Sequence, residues 1–262
     1  MLSTFISYQA ITRSLTSSLA STAAEPVVSN ETQYYLANIG KVKTVDDFLN
    51  NYRLFSYAMK AFGLEDMNYA KGMMRQVLTG GITDPKSLAN TLTDPRYKAF
   101  ATAFDFAAKG AAATSATSAQ SGTVSQYVRQ TMENDAGTQN DGVRLALYFQ
   151  RMAPAIKTPL DILADPALLK VVQTVLNIPA ASSLQDIDVQ ANTISNEMNV
   201  ADLQDPTKLT AFIQRFTAIY DLNNSAANAQ TQPANALLVG QGLAGISTDL
   251  LTSLQGFKLG GA

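Results

Sequence analysis

Two stretches of the sequence carry the same order of aromatic, capping and aliphatic residues at helical spacing. Tyr34–Leu64 aligns without gaps with Tyr148–Ile178. The identical pairs are Tyr34/Tyr148, Lys43/Lys157, Thr44/Thr158, Asp47/Asp161, Leu49/Leu163 and Leu54/Leu168. Other pairs, such as Phe48/Ile162, differ in identity but stay apolar, so the same helix faces remain hydrophobic. The pattern predicts a duplicated helical unit.

A second match follows in the same order along the chain. Leu92–Phe104 resembles Leu203–Phe216, and each stretch contains an Asp-Pro pair near its start. The Asp-Pro pairs that precede apolar periodic runs are Asp84-Pro85, Asp94-Pro95, Asp165-Pro166 and Asp205-Pro206. Asp accepts a hydrogen bond from a free backbone N–H at a helix start, and Pro at the first helical position loses no helical bond. We therefore expect an all-α fold with two pseudo-repeated multi-helix halves.

Low-complexity segments suggest where the domains divide. AAKGAAATSATSAQSGT, from Ala107 to Thr123, has Lys109 as its only charged residue and is typical of an exposed linker. The predicted order is an N-terminal helical tail (1–33), a first helical repeat (34–106), a linker (107–123), a connecting helix with the second repeat (124–222), and a linker with a C-terminal amphipathic helix (223–262). Val124–Leu147 is expected to form the connecting helix, with Gly137 and Gly142 as its weak points.

The composition excludes several classes of active site. The chain contains no Cys, His or Trp. Cys/His zinc sites, thiol nucleophiles and Ser-His-Asp triads are therefore excluded, whereas a carboxylate or lysine site stays open. We interpret acidic pairs such as Asp46-Asp47 as helix starts, where carboxylates offset the helix dipole. We predict no enzymatic activity, no metal and no cofactor.

The two ends of the chain are poor in charge and carry apolar stripes at helical spacing. Such stripes are typical of helix-on-helix packing. The candidate partner-contact residues are Phe5, Tyr8, Leu15, Leu19, Val239, Leu243, Ile246, Leu250 and Leu254. Two interpretations stay open, because each stripe can cover the core of its own chain or pack against another subunit.

Charge and hydropathy restrict the expected partners and compartment. With 19 basic and 21 acidic residues, the net charge of −2 gives no reason to expect nucleic acid as a partner. No apolar run is long enough to span a membrane, so we expect no membrane insertion. The N-terminus lacks the basic and apolar regions of a Sec signal, so export would need another route.

Three longer motifs resemble a known family. They are ETQYYLANIGKVKTVDDFL, YAMKAFGLEDMNYAKGMMRQVL and GVRLALYFQRMAPAIKTPLDILADPALLKVVQTVLNIP. These segments are similar to a domain-of-unknown-function family common in alphaproteobacteria, whose members are typically encoded among flagellar genes. The resemblance covers roughly residues 1–222 and brings no catalytic residue or cofactor with it.

The resemblance and the terminal stripes together imply a function. We expect a non-enzymatic structural or assembly component of the flagellum, exported without a Sec signal, that contacts other flagellar proteins or copies of itself through helices. The alternative is a cytoplasmic chaperone or regulator of flagellar export. A soluble enzyme is the third hypothesis, and it would require a deep pocket lined by convergent carboxylates.

Overall fold

The described part of the chain is helical throughout. The computed structural model describes residues 3–231, with side chains up to Asn224. The helices are α1 (Thr4–Arg13), α2 (Leu15–Ala24), α3 (Pro26–Ile39), α4 (Val45–Asn50), α5 (Tyr52–Ala61), α6 (Lys71–Gly80), α7 (Leu88–Thr91), α8 (Pro95–Ala103), α9 (Phe106–Lys109), α10 (Thr123–Gln139), α11 (Asp141–Met152), α12 (Pro159–Leu163), α13 (Pro166–Leu176), α14 (Ile187–Glu197) and α15 (Pro206–Thr231). No strand occurs among these residues, which confirms the all-α prediction.

The chain divides into two units, Met1–Asp221 and Leu222–Ala262. In the second unit the structure describes the last turns of α15, which end at Thr231. Leu222 is exposed there. The C-terminal stripe at Val239, Leu243, Ile246, Leu250 and Leu254 lies outside the described residues.

The first unit contains two hydrophobic cores. The first core holds a cluster of aromatic rings in which the Phe48 and Phe104 centroids lie 4.7 Å apart. The second core is largely aliphatic and includes Val171 together with the fully buried Phe149. Helix α10 contributes Tyr127 to the first core and Met132 to the second, and it packs on both α5 and α11.

Equivalent caps begin α4 and α12. The Thr44 hydroxyl accepts a hydrogen bond from the N–H of Asp47, whose carboxylate accepts one from the N–H of Thr44. Thr158 and Asp161 form the same reciprocal pair at the start of α12. Each arrangement satisfies backbone donors that the first helical turn leaves free. The duplication itself stays a prediction.

Three of the four Asp-Pro pairs begin helices as expected. Asp94, Asp165 and Asp205 precede α8, α13 and α15, and each carboxylate accepts hydrogen bonds from backbone N–H groups of its helix. The prediction for Asp84-Pro85 is wrong, because these residues form a turn and α7 begins only after Ser87. The Asp84 carboxylate instead accepts a hydrogen bond from the N–H of Lys86 within that turn.

The predicted linker segment 107–123 is exposed over much of its length but is folded and partly packed. It forms short helical turns over Gly110–Ser115 and Ser118–Gly122 that pack on the first core. The Tyr35 hydroxyl donates a 2.6 Å hydrogen bond to the carbonyl of Ala119, and the Thr114 hydroxyl donates to the carbonyl of Val42. Small side chains let this backbone approach α3 closely, so a composition typical of linkers here serves tight packing.

The predicted connecting helix is two helices. Helix α10 ends at Gln139 and α11 begins at Asp141, with Asn140 as the N-cap between them. The break lies between the two predicted weak points, Gly137 and Gly142. The predicted boundary at residue 33 also falls inside a helix, because α3 continues to Ile39 and buries Val28 and Tyr35 in the first core.

Candidate functional site

The start of α1 is fastened to α15 by a partly buried cluster of residues that we call the terminal junction (Thr4, Asn140, Gly142, Tyr220 and Asp221). The backbone N–H of Thr4 donates to both Asp221 carboxylate oxygens, at 3.1 and 3.0 Å. The Thr4 hydroxyl also donates to Asp221, and it accepts a 2.9 Å hydrogen bond from the Asn140 side-chain amide. Asp221 therefore places a negative charge at the positive end of α1.

Close packing at Gly142 completes the terminal junction. A Cβ atom at this position would lie 2.5 Å from Cδ1 of Tyr220 and 2.9 Å from Cγ2 of Thr4. Both distances are shorter than real contacts, so only glycine fits unless the side chains of Tyr220 and Thr4 shift. The Asn140 side chain meanwhile accepts a hydrogen bond from the N–H of Gly142 and so caps α11. One amide group thus joins the starts of α1 and α11.

The predicted N-terminal contact residues lie against the body of their own chain. Tyr8 is buried in the second core, and Leu15 and Leu19 are partly buried against that core. Phe5 is half-buried. Burial raises the pKa of Tyr8 to about 12, although nearby Arg129 lowers it. The intramolecular interpretation of the stripe therefore accounts for Tyr8, Leu15 and Leu19, and contact with a partner through these residues stays a prediction.

A groove runs beside the terminal junction, between α1, α2 and α10. It encloses about 450 Å³, and Ile11, Met132 and Val143 contribute apolar surface to it. Hydroxyl groups form much of its walls, from Ser7, Ser17, Ser18, Ser21 and Thr22. Asp135 is the one charged residue among the groove's described lining. We call this the N-terminal groove.

An ion cluster holds α10 to α11 in the interior. Glu133 is fully buried and accepts a 2.7 Å hydrogen bond from Nε of Arg129. Arg151 donates to both Glu133 oxygens, at 2.9 and 2.7 Å, and also to the Gln130 side-chain carbonyl. Burial alone would lower the pKa of the Arg151 guanidinium, but Glu133 raises it and this effect prevails. The carboxylate is thus fully engaged by the protein itself.

A second buried carboxylate lies at a cavity of about 460 Å³ between the two cores. Asp165 accepts hydrogen bonds from the Tyr148 hydroxyl and from the backbone N–H groups of Ala167 and Leu168. Burial, and then the charge of Asp165, raise the pKa of Tyr148, so this phenol stays protonated. A protonated phenol bonded to a satisfied carboxylate supplies neither a base nor a free ligand.

Three cationic side chains around this inter-core cavity have carboxylate partners. Arg96 forms a bidentate pair with Asp94 and donates to the carbonyl of Gly63 at 2.7 Å. Arg144 and Lys170 both bind the Asp141 carboxylate, at 2.6 and 3.0 Å. Among residues 3–231, no group of three or more Asp, Glu, His or Cys side chains is arranged to hold a metal ion.

Comparison with known proteins identifies the family. A family model described as a protein of unknown function (DUF1217) matches residues 61–209, which is more than half of the chain. The chain belongs to the DUF1217 family. No curated protein matches the sequence significantly. A solved structure does: a structural-genomics crystal structure of a protein from Agrobacterium tumefaciens is 47% identical, with a TM-score of 0.78, over 84% of this chain and 94% of that one.

Some site residues of this DUF1217 protein lie within the range that the family model matches, and others lie outside it. Glu133, Arg151 and Asp165 fall within residues 61–209, as does the floor of the N-terminal groove at Met132 and Val143. The hydroxyl walls of that groove on α1 and α2, and Asp221 of the terminal junction, fall outside it. The expected alphaproteobacterial family agrees with the Agrobacterium relative.

Sequence reasoning missed most of the site residues of the DUF1217 chain. The spacing of four residues between Arg129 and Glu133 is a signal for one ion pair on a helix. The terminal junction had no such signal, because 217 positions separate Thr4 from Asp221. Only the folded chain brings them together.

Proposed function

We propose that this protein is a non-enzymatic structural or assembly component of the bacterial flagellum that acts through helix-mediated protein–protein contacts. The motifs that resemble a family encoded among flagellar genes support this role, and an alphaproteobacterial relative is compatible with it. The protein would be located at the flagellum. Its partners would be other flagellar proteins or copies of itself.

The terminal junction is the observation that carries the proposal. It fastens α1 to α15 through Thr4 and Asp221, with Gly142 allowing the close approach. Two helices that are distant in sequence are thereby joined. Helices fixed in this way are a suitable basis for contacts between subunits, because each presents a stable surface at little cost in ordering entropy.

The state of the buried charges favours a structural over a catalytic role. Glu133 and Asp165 are the charged residues buried among residues 3–224, and both accept several hydrogen bonds within the protein. A catalytic carboxylate needs a free lone pair or an exchangeable proton near a substrate. Groups that are fully engaged hold helices together instead.

A cytoplasmic export chaperone or regulator is the second candidate. The burial of Tyr8 and the packing of Leu15 and Leu19 against the second core favour it, because these side chains are then used within the chain. Such a protein would bind an export substrate through another surface. No helix in the described range 3–231 is long and apolar enough to cross a membrane.

We also propose that the two halves of the chain arose by duplication. The matching caps at Thr44/Asp47 and Thr158/Asp161 support this origin, as do the left-handed residues Gly63 and Asn177 that follow α5 and α13. The duplication can be tested in the relative's crystal structure by superposing the residues that correspond to 44–64 on those that correspond to 158–178. A match of helix directions as well as caps is expected, whereas matching caps on helices of different direction would contradict duplication.

Fractionation of a flagellated bacterium that encodes the chain tests the flagellar role. Hook-basal bodies and filaments are purified and analysed by quantitative mass spectrometry, with a mutant lacking the flagellar export apparatus as the control. We expect stoichiometric recovery in the organelle and loss of that recovery in the mutant. Recovery only in the cytosol, unchanged in the mutant, would contradict the structural role and favour the chaperone or regulator.

A further inference from the structure

A short exposed segment at the start of α14 combines apolar and acidic side chains. Every residue from 183 to 189 is exposed, and Leu184 is 91% exposed. Ile187 and Val189 are the other large apolar side chains in the segment, and Asp186 and Asp188 alternate with them. Exposed apolar side chains that lie close together mark interaction sites more often than scattered ones do. We call residues 183–189 the acidic segment.

The acidic segment is held in place by hydrogen bonds although it is exposed. The Gln190 side-chain amide donates to the carbonyl of Gln185 at 2.8 Å, and the Gln173 amide donates to the Ser183 hydroxyl at 2.9 Å. The Asp186 carboxylate accepts a hydrogen bond from a backbone N–H and so caps α14. Contact with a partner therefore needs little ordering of this backbone, which lowers the entropic cost of binding.

The charge around the acidic segment defines the chemistry of its partner. Residues 171–207 contain five acidic residues and no Lys or Arg. Within the described part of the chain, no basic side chain forms an ion pair with Asp186, Asp188 or Glu197. A surface of this kind attracts and orients a partner that carries Lys and Arg, and it repels an acidic one.

We propose that the acidic segment binds an amphipathic helix of a partner protein that carries Lys or Arg beside its apolar stripe. The apolar stripe of the partner covers Leu184, and its basic side chains pair with Asp186 and Asp188. Binding of an amphipathic helix through apolar anchors, and pairing of an acidic motif with basic residues, are both established modes of peptide recognition. This inference rests on the proposed assembly role and gives the partner's chemistry.

Variants of the full chain remove the two parts of the contact separately. Leu184→Ser removes the apolar part, and the fold tolerates it because this side chain is exposed. Asp186→Asn with Asp188→Asn removes two charges, while Asn at the first position still caps α14.

Matched controls change the same chemistry elsewhere. Val27→Ser replaces an exposed apolar side chain on α3. Glu65→Gln with Asp66→Asn removes two acidic charges that are close together and exposed in a different part of the chain. The net charge of this control equals that of the Asp186→Asn/Asp188→Asn variant, so general attraction to an acidic protein is the same in both.

Fluorescence anisotropy of a labelled peptide measures the binding. The probe is an amphipathic helix of about 18 residues with Leu on one face and Lys and Arg on the other. We expect the unmodified chain and both controls to bind it, and Leu184→Ser to bind it at least about tenfold more weakly. The Asp186→Asn/Asp188→Asn variant is expected to bind about three- to tenfold more weakly at low salt, with a smaller difference at high salt.

Two further peptides test the stated chemistry of the partner. One has Glu in place of every Lys and Arg, and the other has the same composition as the probe with Leu spread around the helix. Neither is expected to bind. Absence of binding by the basic amphipathic probe, equal binding by either comparison peptide, or equal weakening by the Glu65→Gln/Asp66→Asn control would overturn the inference.

Sedimentation velocity tests whether the occupant is a second copy of this chain. We expect the unmodified chain and the Leu184→Ser variant to sediment alike. Self-association that the Leu184→Ser variant abolishes would assign the surface to a second copy and overturn the inference.

The failure of this inference and the failure of the flagellar role give different results. A chain recovered from purified flagella that does not bind the basic probe would overturn the inference and leave the structural role intact. A chain that binds the probe through Leu184 but stays in the cytosol would support the contact and contradict the flagellar location.

Discussion

The carboxylate of Glu133 is fully buried and accepts hydrogen bonds from two guanidinium groups, one on α10 and one on α11. Removing one partner from a buried ion pair costs more than the pair contributes, because the remaining charge stays in the interior without compensation. In this cluster two cations, Arg129 and Arg151, would lose their partner together. The stability of the α10–α11 contact therefore depends strongly on a single side chain.

We predict that Glu133→Gln lowers the free energy of unfolding by about 3–5 kcal/mol. Urea denaturation followed by circular dichroism measures the change. Asp46→Asn is the control, because the Asp46–Arg75 pair has the same kind of partner but both side chains are more than half exposed, and such pairs contribute little. A loss of similar size in both variants would contradict the special role of the buried cluster.

Replacing two helical glycines by alanine is predicted to change the stability in opposite directions. Gly142→Ala places a Cβ against Tyr220 and Thr4, and overpacking of this kind costs about 1–3 kcal/mol. Gly72→Ala on α6 meets nothing within 4 Å, so the variant gains up to about 1 kcal/mol from helix propensity. Thermal unfolding of both variants tests the pair. Equal shifts in the two midpoints would show that packing at the terminal junction is unimportant.

At the scale of helices, local and distant interactions differ in how far the sequence predicts them. The caps at Thr44, Thr158 and Asp165 follow from residues three or fewer positions away, so the sequence predicts them correctly. The packing within segment 107–123 gave no sequence signal, because the carbonyl of Ala119 accepts its hydrogen bond from Tyr35, which is far away in the sequence. For the same reason the N-terminal groove, which needs α1 and α2 folded onto α10, could not be predicted.

Helix α1 provides a test of one such distant interaction. Asp221→Ala removes the acceptor of the Thr4 N–H and hydroxyl groups, so we expect the amides of α1 to exchange with solvent markedly faster. Hydrogen exchange read by mass spectrometry resolves this helix. The control is Asp202→Ala, which removes an exposed pair with Lys208 and is expected to leave α1 unchanged. Equal exchange of α1 in both variants would mean that the terminal junction does not hold this helix.

At the scale of the whole molecule, stability depends on pH through tyrosines and carboxylates, since the chain contains no histidine. Burial is the first cause that raises the pKa values of Tyr8, Tyr35, Tyr57 and Tyr148 above that of a free phenol. At the acidic end, burial alone would raise the pKa of Asp141, but Lys170 and Arg144 lower it. The shifts of these groups therefore move their titration away from neutral pH in both directions.

The raised pKa values of the tyrosines set the upper pH limit of the protein's stability. A group whose pKa is higher in the folded than in the unfolded chain contributes its full stability below the unfolded value and loses it as the pH rises through the folded value. For Tyr8 this interval runs from 10.0 to about 12.

We therefore expect a nearly constant free energy of unfolding from about pH 6 to 9, then a steep fall above about pH 10. Urea titrations at stepped pH, with tyrosinate absorbance recorded in parallel, measure both events. Tyrosinate that forms near its ordinary pH while the helices remain intact would contradict the burial of these rings. Tyr8→Phe keeps the ring and removes the titrating hydroxyl, so that variant is expected to lose less stability above pH 10 than the unmodified chain.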